Sequence, residues 1–267
     1  MHELAFVFAG FAVGLIVGLT GVGGGSLMTP ILIFFFGVKP HMAVGTDLLF
    51  AAFTKMGGTV SMARQRLVPW KVVGQLCAGS IPAALLALWA LKAMGPASGT
   101  AQSIMTTTLG FALLLTAAAT LYKAIAFSAQ RQADEAAARK AHAGDPTRPR
   151  HWSLPVLLGA VIGTLVTFTS VGAGAIGVTV LLLVYPLLPL PRVIGADIAY
   201  AVPLTLVAGL GHASLGSVDW PLLAQLLAGS LPGIWLGSRL VTRTPERLIR
   251  SALSLLLAWA GFKLILI

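Results

Sequence analysis

Charge is what this chain has least of. Only 10% of its 267 residues are Asp, Glu, Lys or Arg, against about 25% in a soluble domain. Acids are scarcer still, 8 against 18 Lys and Arg. A soluble globule of this length needs more polar surface than that, so an ordinary soluble fold is excluded. There is one cysteine, Cys77, so no intrachain disulfide forms. No H-E-x-x-H, no G-x-S-x-G and no Cys/His cluster occurs, which leaves the readable hydrolase and metal-site chemistries without a carrier. The net charge is +10, but the basic residues sit in short segments between apolar runs. No basic, aromatic-studded domain exists to bind nucleic acid.

What the chain has is apolar length. Hydrophobic residues make up 57% of it, with a mean hydropathy of +0.91. The apolar segments run roughly 4–20, 26–37, 42–63, 70–91, 100–126, 153–169, 174–188, 192–212, 219–239 and 246–267. Long continuous runs predict an all-α polytopic membrane protein. Alternating ten-residue segments of a β-barrel are missing. The N-terminus lacks a basic n-region and reads as a mature first segment, not a signal peptide. Between the fifth and sixth segments the chain becomes charged, with two prolines and the helix-forming "ADEAAARKA". This divides the chain into an N-terminal repeat (1–127), a charged linker (128–152) and a C-terminal repeat (153–267).

The two halves are copies. "VGTDLLFA" (44–51) matches "IGADIAYA" (194–201), and "VPWKVVGQLCAGSIP" (68–82) matches "VDWPLLAQLLAGSLP" (218–232), at an offset of 150. "TGVGGGS" (20–26) matches "TSVGAGA" (169–175) at 149. Matches at one spacing, one residue slipped, mark an internal repeat. The arginines of the linker place it in the cytoplasm by the positive-inside rule. Counting spans from there puts the Arg64–Arg66–Lys71 loop and the Arg239–Arg250 segment inside, and both termini outside. The basic loops alternate between the copies, so the halves have opposite orientation. Inverted repeats are a signature of secondary transporters. The expected architecture is two inverted repeats, each a Gly-broken helical hairpin followed by three transmembrane helices.

The glycine runs explain the hairpins. Segment 26–37 would give roughly 18 Å of helix, too short for a ~30 Å hydrocarbon core. A tip that stops inside the membrane is tolerated only within protein or beside a watery cavity. "GVGGGS" is not a nucleotide loop, because no Gly-Lys-Ser/Thr ends it. Close helix packing through small residues is the plainer use. The sharper one is anion binding, since glycines expose N–H groups and a helix N-terminus is partly positive.

Lys55 lies about 12–14 Å inside its segment by helical rise. A lysine there faces a pathway or a partner, or snorkels. Asp47 and Asp197 hold equivalent positions and suit capping, proton coupling, a cation, or pairing with Lys55. His212 aligns with Met62 and reads as structural. Gly79-Ser80-Ile81-Pro82 and Gly229-Ser230-Leu231-Pro232 read as kinks, where proline frees a carbonyl and serine can satisfy a neighbour. Trp70 and Trp220 suit the interface.

"GLTGVGGGSLMTPIL" with "AVGTDLLFAAFTKMGGT", and "GADIAYAVPLTLVAGLGHASLGSVDW" in the second half, resemble the TauE/SafE sulfite exporter family of bacterial permeases. The resemblance covers nearly the whole chain outside the linker. It implies transport of a sulfur-containing anion (sulfite, sulfoacetate or a related organosulfonate) across the inner membrane, commonly as export. Many relatives read Gly-Thr-Ser where this chain has Gly45-Thr46-Asp47. The expected anion site comprises Gly23, Gly24, Gly25, Ser26, Thr46, Lys55, Thr169, Ser170, Gly172 and Gly174. Asp47, Asp197, Ser80, Pro82, Ser230 and Pro232 are the expected coupling or gating residues. No cofactor, metal or nucleic acid is expected; the partners are a small anion, the bilayer and, as one arrangement the sequence allows, a second copy. A cation- or proton-linked carrier built on Asp47 and Asp197, an intramembrane enzyme and a passive channel remain as alternatives.

Overall fold

The computed structural model describes residues 2–20, 25–140, 147, 153–172, 174–240 and 246–265. Ten helices and no strand occur among them: α1 (His2–Thr20), α2 (Gly25–Phe36), α3 (Pro40–Arg64), α4 (Trp70–Met94), α5 (Gly99–Lys140), α6 (Leu154–Thr169), α7 (Ala175–Val184), α8 (Leu190–Ser214), α9 (Trp220–Leu240) and α10 (Glu246–Ile265). The ten apolar segments correspond to them one by one. Three, α4, α8 and Gly99–Leu121 of α5, are long and apolar enough to cross a membrane by themselves.

Two elements differ in length from expectation. Helix α5 has 42 residues and runs on to Lys140, through half of the charged segment. Hydropathy marks where a helix would leave lipid, but alanine-rich "ADEAAARK" keeps a high helix propensity in water. Helix α7 has only 10 residues and stops before Tyr185, because Pro186 and Pro189 follow and the residue before a proline disfavours the helical region.

The strongest packing joins the two halves. Helix α1 lies against α9, α6 against α4, α5 against α10, and α3 against α8. The set is unchanged when equivalent helices are exchanged, since α1 corresponds to α6 and α4 to α9. The seams themselves repeat. A Cβ on Gly10 or Gly14 would strike the backbone of Leu226 or Ser230, and one on Gly159 or Gly163 would strike Leu76 or Ser80. From the other side, Gly79 abuts Val156, and Gly229 and Gly233 abut Val7 and Phe11. In both seams contact positions rise together, so the helices run parallel. Small residues at four-residue spacing let backbones approach this closely, which is how helices associate where lipid offers no hydrophobic contrast.

Two apolar cores result, one around α4, α6, α7 and α8, the other around α1, α2, α9 and α10. Outward-facing large side chains, such as Leu86 and Trp89 on α4, Trp235 on α9 and Leu255 on α10, are exposed. In a membrane-embedded protein these faces meet lipid.

Candidate functional site

Helices α3 and α8 form the centre. They run antiparallel: Gly45 abuts His212 and Ser217, Gly209 abuts Leu49, and Gly58 abuts Ile198. The Thr59 hydroxyl donates to the Ile198 carbonyl at 3.4 Å. This register sets Asp47 level with residue 210 and Asp197 level with residue 60, about 20 Å apart along the pair at 1.5 Å per residue. Lys55 lies between those levels.

All three ionisable side chains are buried. Asp47 Oδ2 accepts a hydrogen bond from the Thr29 hydroxyl of α2 at 2.5 Å. Ser170, at the tip of the second hairpin, stands beside the same carboxylate. Asp47 Oδ1 and Ser170 Oγ are both buried without a partner of hydrogen-bonding geometry. Asp197 packs on Gly177 of α7, so closely that a Cβ there would strike Oδ1, and Tyr200 Oη would lie 3.3 Å from that Cβ. A side chain at 177 would have to push the Asp197 carboxylate aside. Lys55 interacts electrostatically with both acids, with Asp197 more strongly than with Asp47. It is the only buried lysine or arginine among the described residues. Each acid thus rests against the return helix of its own half, and Lys55 links them.

The second hairpin tip is enclosed by protein. Thr169, Ser170 and Val171 are buried, and the turn needs Ser170 at φ 58°, Gly172 at φ 136° and Gly174 at φ 133°. Such angles favour glycine, which pays no Cβ penalty there. Thr169 does not offer a spare hydroxyl: it donates to Leu165 and Val171 carbonyls at 2.7 and 3.0 Å and accepts from the Val171 N–H at 3.1 Å. In the first hairpin, Gly23 and Gly24 lie outside the described residues, and so does the side chain of Ser26. Gly25 and Ser26 open α2.

Other expected site residues are spread through the fold. Thr46 is buried, and its hydroxyl accepts the Asp219 N–H at 3.0 Å, ahead of α9. Ser80 and Ser230 lie in the two glycine seams, both buried, while the Pro82 and Pro232 rings are exposed. Helices α4 and α9 continue through these prolines. Ser230 reaches the Leu227 carbonyl at 3.4 Å, whereas Ser80 Oγ has no partner. His212 is fully buried, and its Nε2 meets the Thr167 carbonyl at 3.0 Å, tying α8 to the end of α6.

Sequence reasoning passed over Thr29, Tyr200 and a hydrogen bond from Tyr185 Oη to Gln75 Oε1 of 2.6 Å, which fastens the end of α7 to α4. The signals were present. A threonine recurs at Thr179, and a glutamine in an apolar run recurs at Gln225.

The known proteins similar to this chain carry the names of membrane transporters. The family model described as sulfite exporter TauE/SafE matches residues 6–264. The probable membrane transporter protein YjnA of Bacillus subtilis (strain 168) is 34% identical, over 98% of this chain and 100% of its own. The probable membrane transporter protein YdhB of the same organism is 24% identical over 96% and 97%. A probable membrane transporter protein of Xylella fastidiosa (strain Temecula1 / ATCC 700964) is 26% identical over 88% and 83%. No solved structure matches significantly.

Proposed function

The chain belongs to the sulfite exporter TauE/SafE family, and on that footing we propose that it moves a sulfur-containing anion, such as sulfite, sulfoacetate or a related organosulfonate, across the bacterial inner membrane. It is a membrane transporter, and neither the family nor the relatives carry an enzyme's name. The observation that carries the reading is Lys55, a buried cation on the central α3–α8 pair, between the levels of Asp47 and Asp197. A charge inside a membrane segment is costly, and is kept where it meets a partner or lines a pathway.

Alternating access between inverted halves is supported by three features. The seams give the hairpins a depth. With Gly163 set on Ser80, Ser170 comes level with residue 87 of α4, about 10 Å short of that helix's end. Helix α1 likewise stops about 6 Å short of the end of α9. This stagger supports the reading of two re-entrant hairpins that enter from opposite faces. The pairing of helices is the same when the halves are exchanged. The exception to that symmetry is also informative. Phe53, Met56 and Val60 on the last turns of α3 are exposed, and nothing lies within 4 Å of a Cβ at Gly57. At the equivalent end of α8, Pro203 and Leu206, the counterparts of Phe53 and Met56, are only half-exposed and His212 is buried, although Leu210, the counterpart of Val60, is exposed as well. A carrier open toward one side has this asymmetry, and Arg64 and Arg66 mark that side as cytoplasmic.

Flux in proteoliposomes across a panel of sulfur oxyanions tests the reading. Saturable sulfite flux should fall at least about tenfold in Lys55→Ala, the loss of one charge-assisted contact of ~1.4 kcal/mol or more. Unchanged flux would remove Lys55 from the mechanism. The neighbouring carboxylates favour a second reading, a cation-linked carrier, which binding of Na⁺ in the absence of any sulfur anion would support.

A further inference from the structure

The central pair holds one ammonium and two carboxylates. With all three ionised, Lys55, Asp47 and Asp197 sum to one net negative charge. A monoanion approaching Lys55 therefore meets a core already charged against it, in surroundings where unbalanced charge is costly. The charge can be restored if one proton arrives with each monoanion.

The geometry says where that proton sits. Asp47 Oδ2 already accepts from Thr29. Asp47 Oδ1 and Ser170 Oγ, side by side, are buried with no other hydrogen-bond partner, and Tyr200 Oη, beside Asp197, is a further buried polar atom without one. While Asp47 is ionised the Ser170 hydroxyl can donate to Oδ1, and once Oδ1 carries a proton it can donate to Ser170 Oγ instead, so the direction of this one contact follows the proton. Asp197 is the stronger electrostatic partner of Lys55, so the pair Lys55–Asp197 is neutral while Asp47 is the swing group. The other titratable groups nearby are Tyr200 on α8, which faces Asp197, and Cys77 on α4, which faces Tyr200. His41 and His212 face each other at the far end of α3 and α8.

We infer that this protein is an anion–proton symporter in which Asp47 carries the proton and its partner Ser170 reads it at the tip of the opposite hairpin. The inference rests on the anion reading above. A proton from water bonds to Asp47 Oδ1, the carboxylate becomes a neutral carboxyl, and the anion takes the lost charge's place near Lys55. On the other face the anion leaves, the O–H bond breaks, the proton passes to water, and Asp47 is a carboxylate again. The charge of the core is the same in the empty ionised state and the loaded state. Under an inward proton gradient such a carrier imports its anion, so export would require the gradient to be outweighed by the anion's own.

The test uses the full chain in proteoliposomes, with the membrane potential clamped at zero. The probes are sulfite and ethanesulfonate, the second because its single charge does not change with pH. Accumulation of ethanesulfonate should reach about tenfold for each pH unit of acid-outside gradient, the ratio of one proton per monoanion. A trapped pH dye should show one proton entering per anion. Asp47→Asn should bring the accumulation ratio to about one. Where that variant does not insert in folded form, the wild-type dye stoichiometry alone decides. Saturable movement with no gradient dependence and no proton entry overturns the coupling and leaves the anion reading intact. No saturable movement of either probe at any gradient overturns both.

Discussion

Replacing a seam glycine by alanine should loosen the molecule by a calculable amount. A Cβ on Gly14 would lie 2.8 Å from Ser230 Cα, and one on Gly163 would lie 2.7 Å from Ser80 Cα. Carbon atoms in ordinary contact are about 3.5–4.0 Å apart. Each pair of helices must part by about 1 Å, and backbone cannot rotate away as a side chain can. Overpacking of this kind costs about 1–3 kcal/mol, while alanine returns about 0.5–1 kcal/mol of helix preference. The net loss lies between about 0 and 2.5 kcal/mol, with a midpoint of about 1 kcal/mol, a fall of about 2–4 °C in Tm for a chain of this size. Gly57 is the control, because nothing lies within 4 Å of its Cβ; Gly57→Ala should hold or raise Tm. The assay is a thermal melt of the purified protein in detergent, followed by intrinsic tryptophan fluorescence. Gly14→Ala and Gly163→Ala should fall together, since they occupy copies of one seam. If both melt with the wild type and Gly57→Ala does not, the seams do not hold the fold together. If only one falls, the equivalence of the two seams is wrong.

Two further outcomes separate structural from binding roles. Thr46→Val strands the Asp219 N–H and should cost about 1 kcal/mol of stability, read as a lower Tm, while the KM for the transported anion stays unchanged; a raised KM would restore Thr46 to the binding site. Tyr185→Phe removes the hydroxyl that donates to Gln75 and should cost about 1–2 kcal/mol. Gln75→Leu added to it should cost little more, and a double-mutant cycle that shows full additivity would dissolve that bond.

Much of the layout could be read from the chain because lipid imposes few solutions. An apolar run must be a helix, and a run of ten or twelve residues cannot span. That put α2, α6 and α9 within a residue or two of their ends. The end of α5 was hidden because hydropathy reports solvent, not backbone conformation, and the alanine-rich stretch after residue 130 satisfies a helix on either side of the interface. The partner of α1 was hidden for a different reason. Gly10 and Gly14 show a face that wants a close neighbour, but the spacing alone does not say whose backbone fills it. Gly79-Ser80 and Gly229-Ser230 were read with the prolines that follow as bends; packing shows the glycine and serine turned into a seam and the proline turned out. Lys55 and the two acids were visible as residues. Their shared neighbourhood was not, because it arises from an antiparallel register between helices 150 positions apart. The same holds for Thr29, whose role depends on α2 turning back beneath α3.

The crossed seams also set an order of assembly. Helix α6 is made after α4, so its glycine face finds Leu76 and Ser80 waiting. Helix α1 is made first, and its partner α9 follows more than two hundred residues later. At a synthesis rate of roughly 5–20 residues per second, that is a wait of about 10–40 s. During that interval the N-terminal hairpin has no seam to rest in, while the C-terminal hairpin docks as it is born. A ribosome stalled before α9 therefore leaves the first hairpin's glycine face without the helix it packs on in the finished protein.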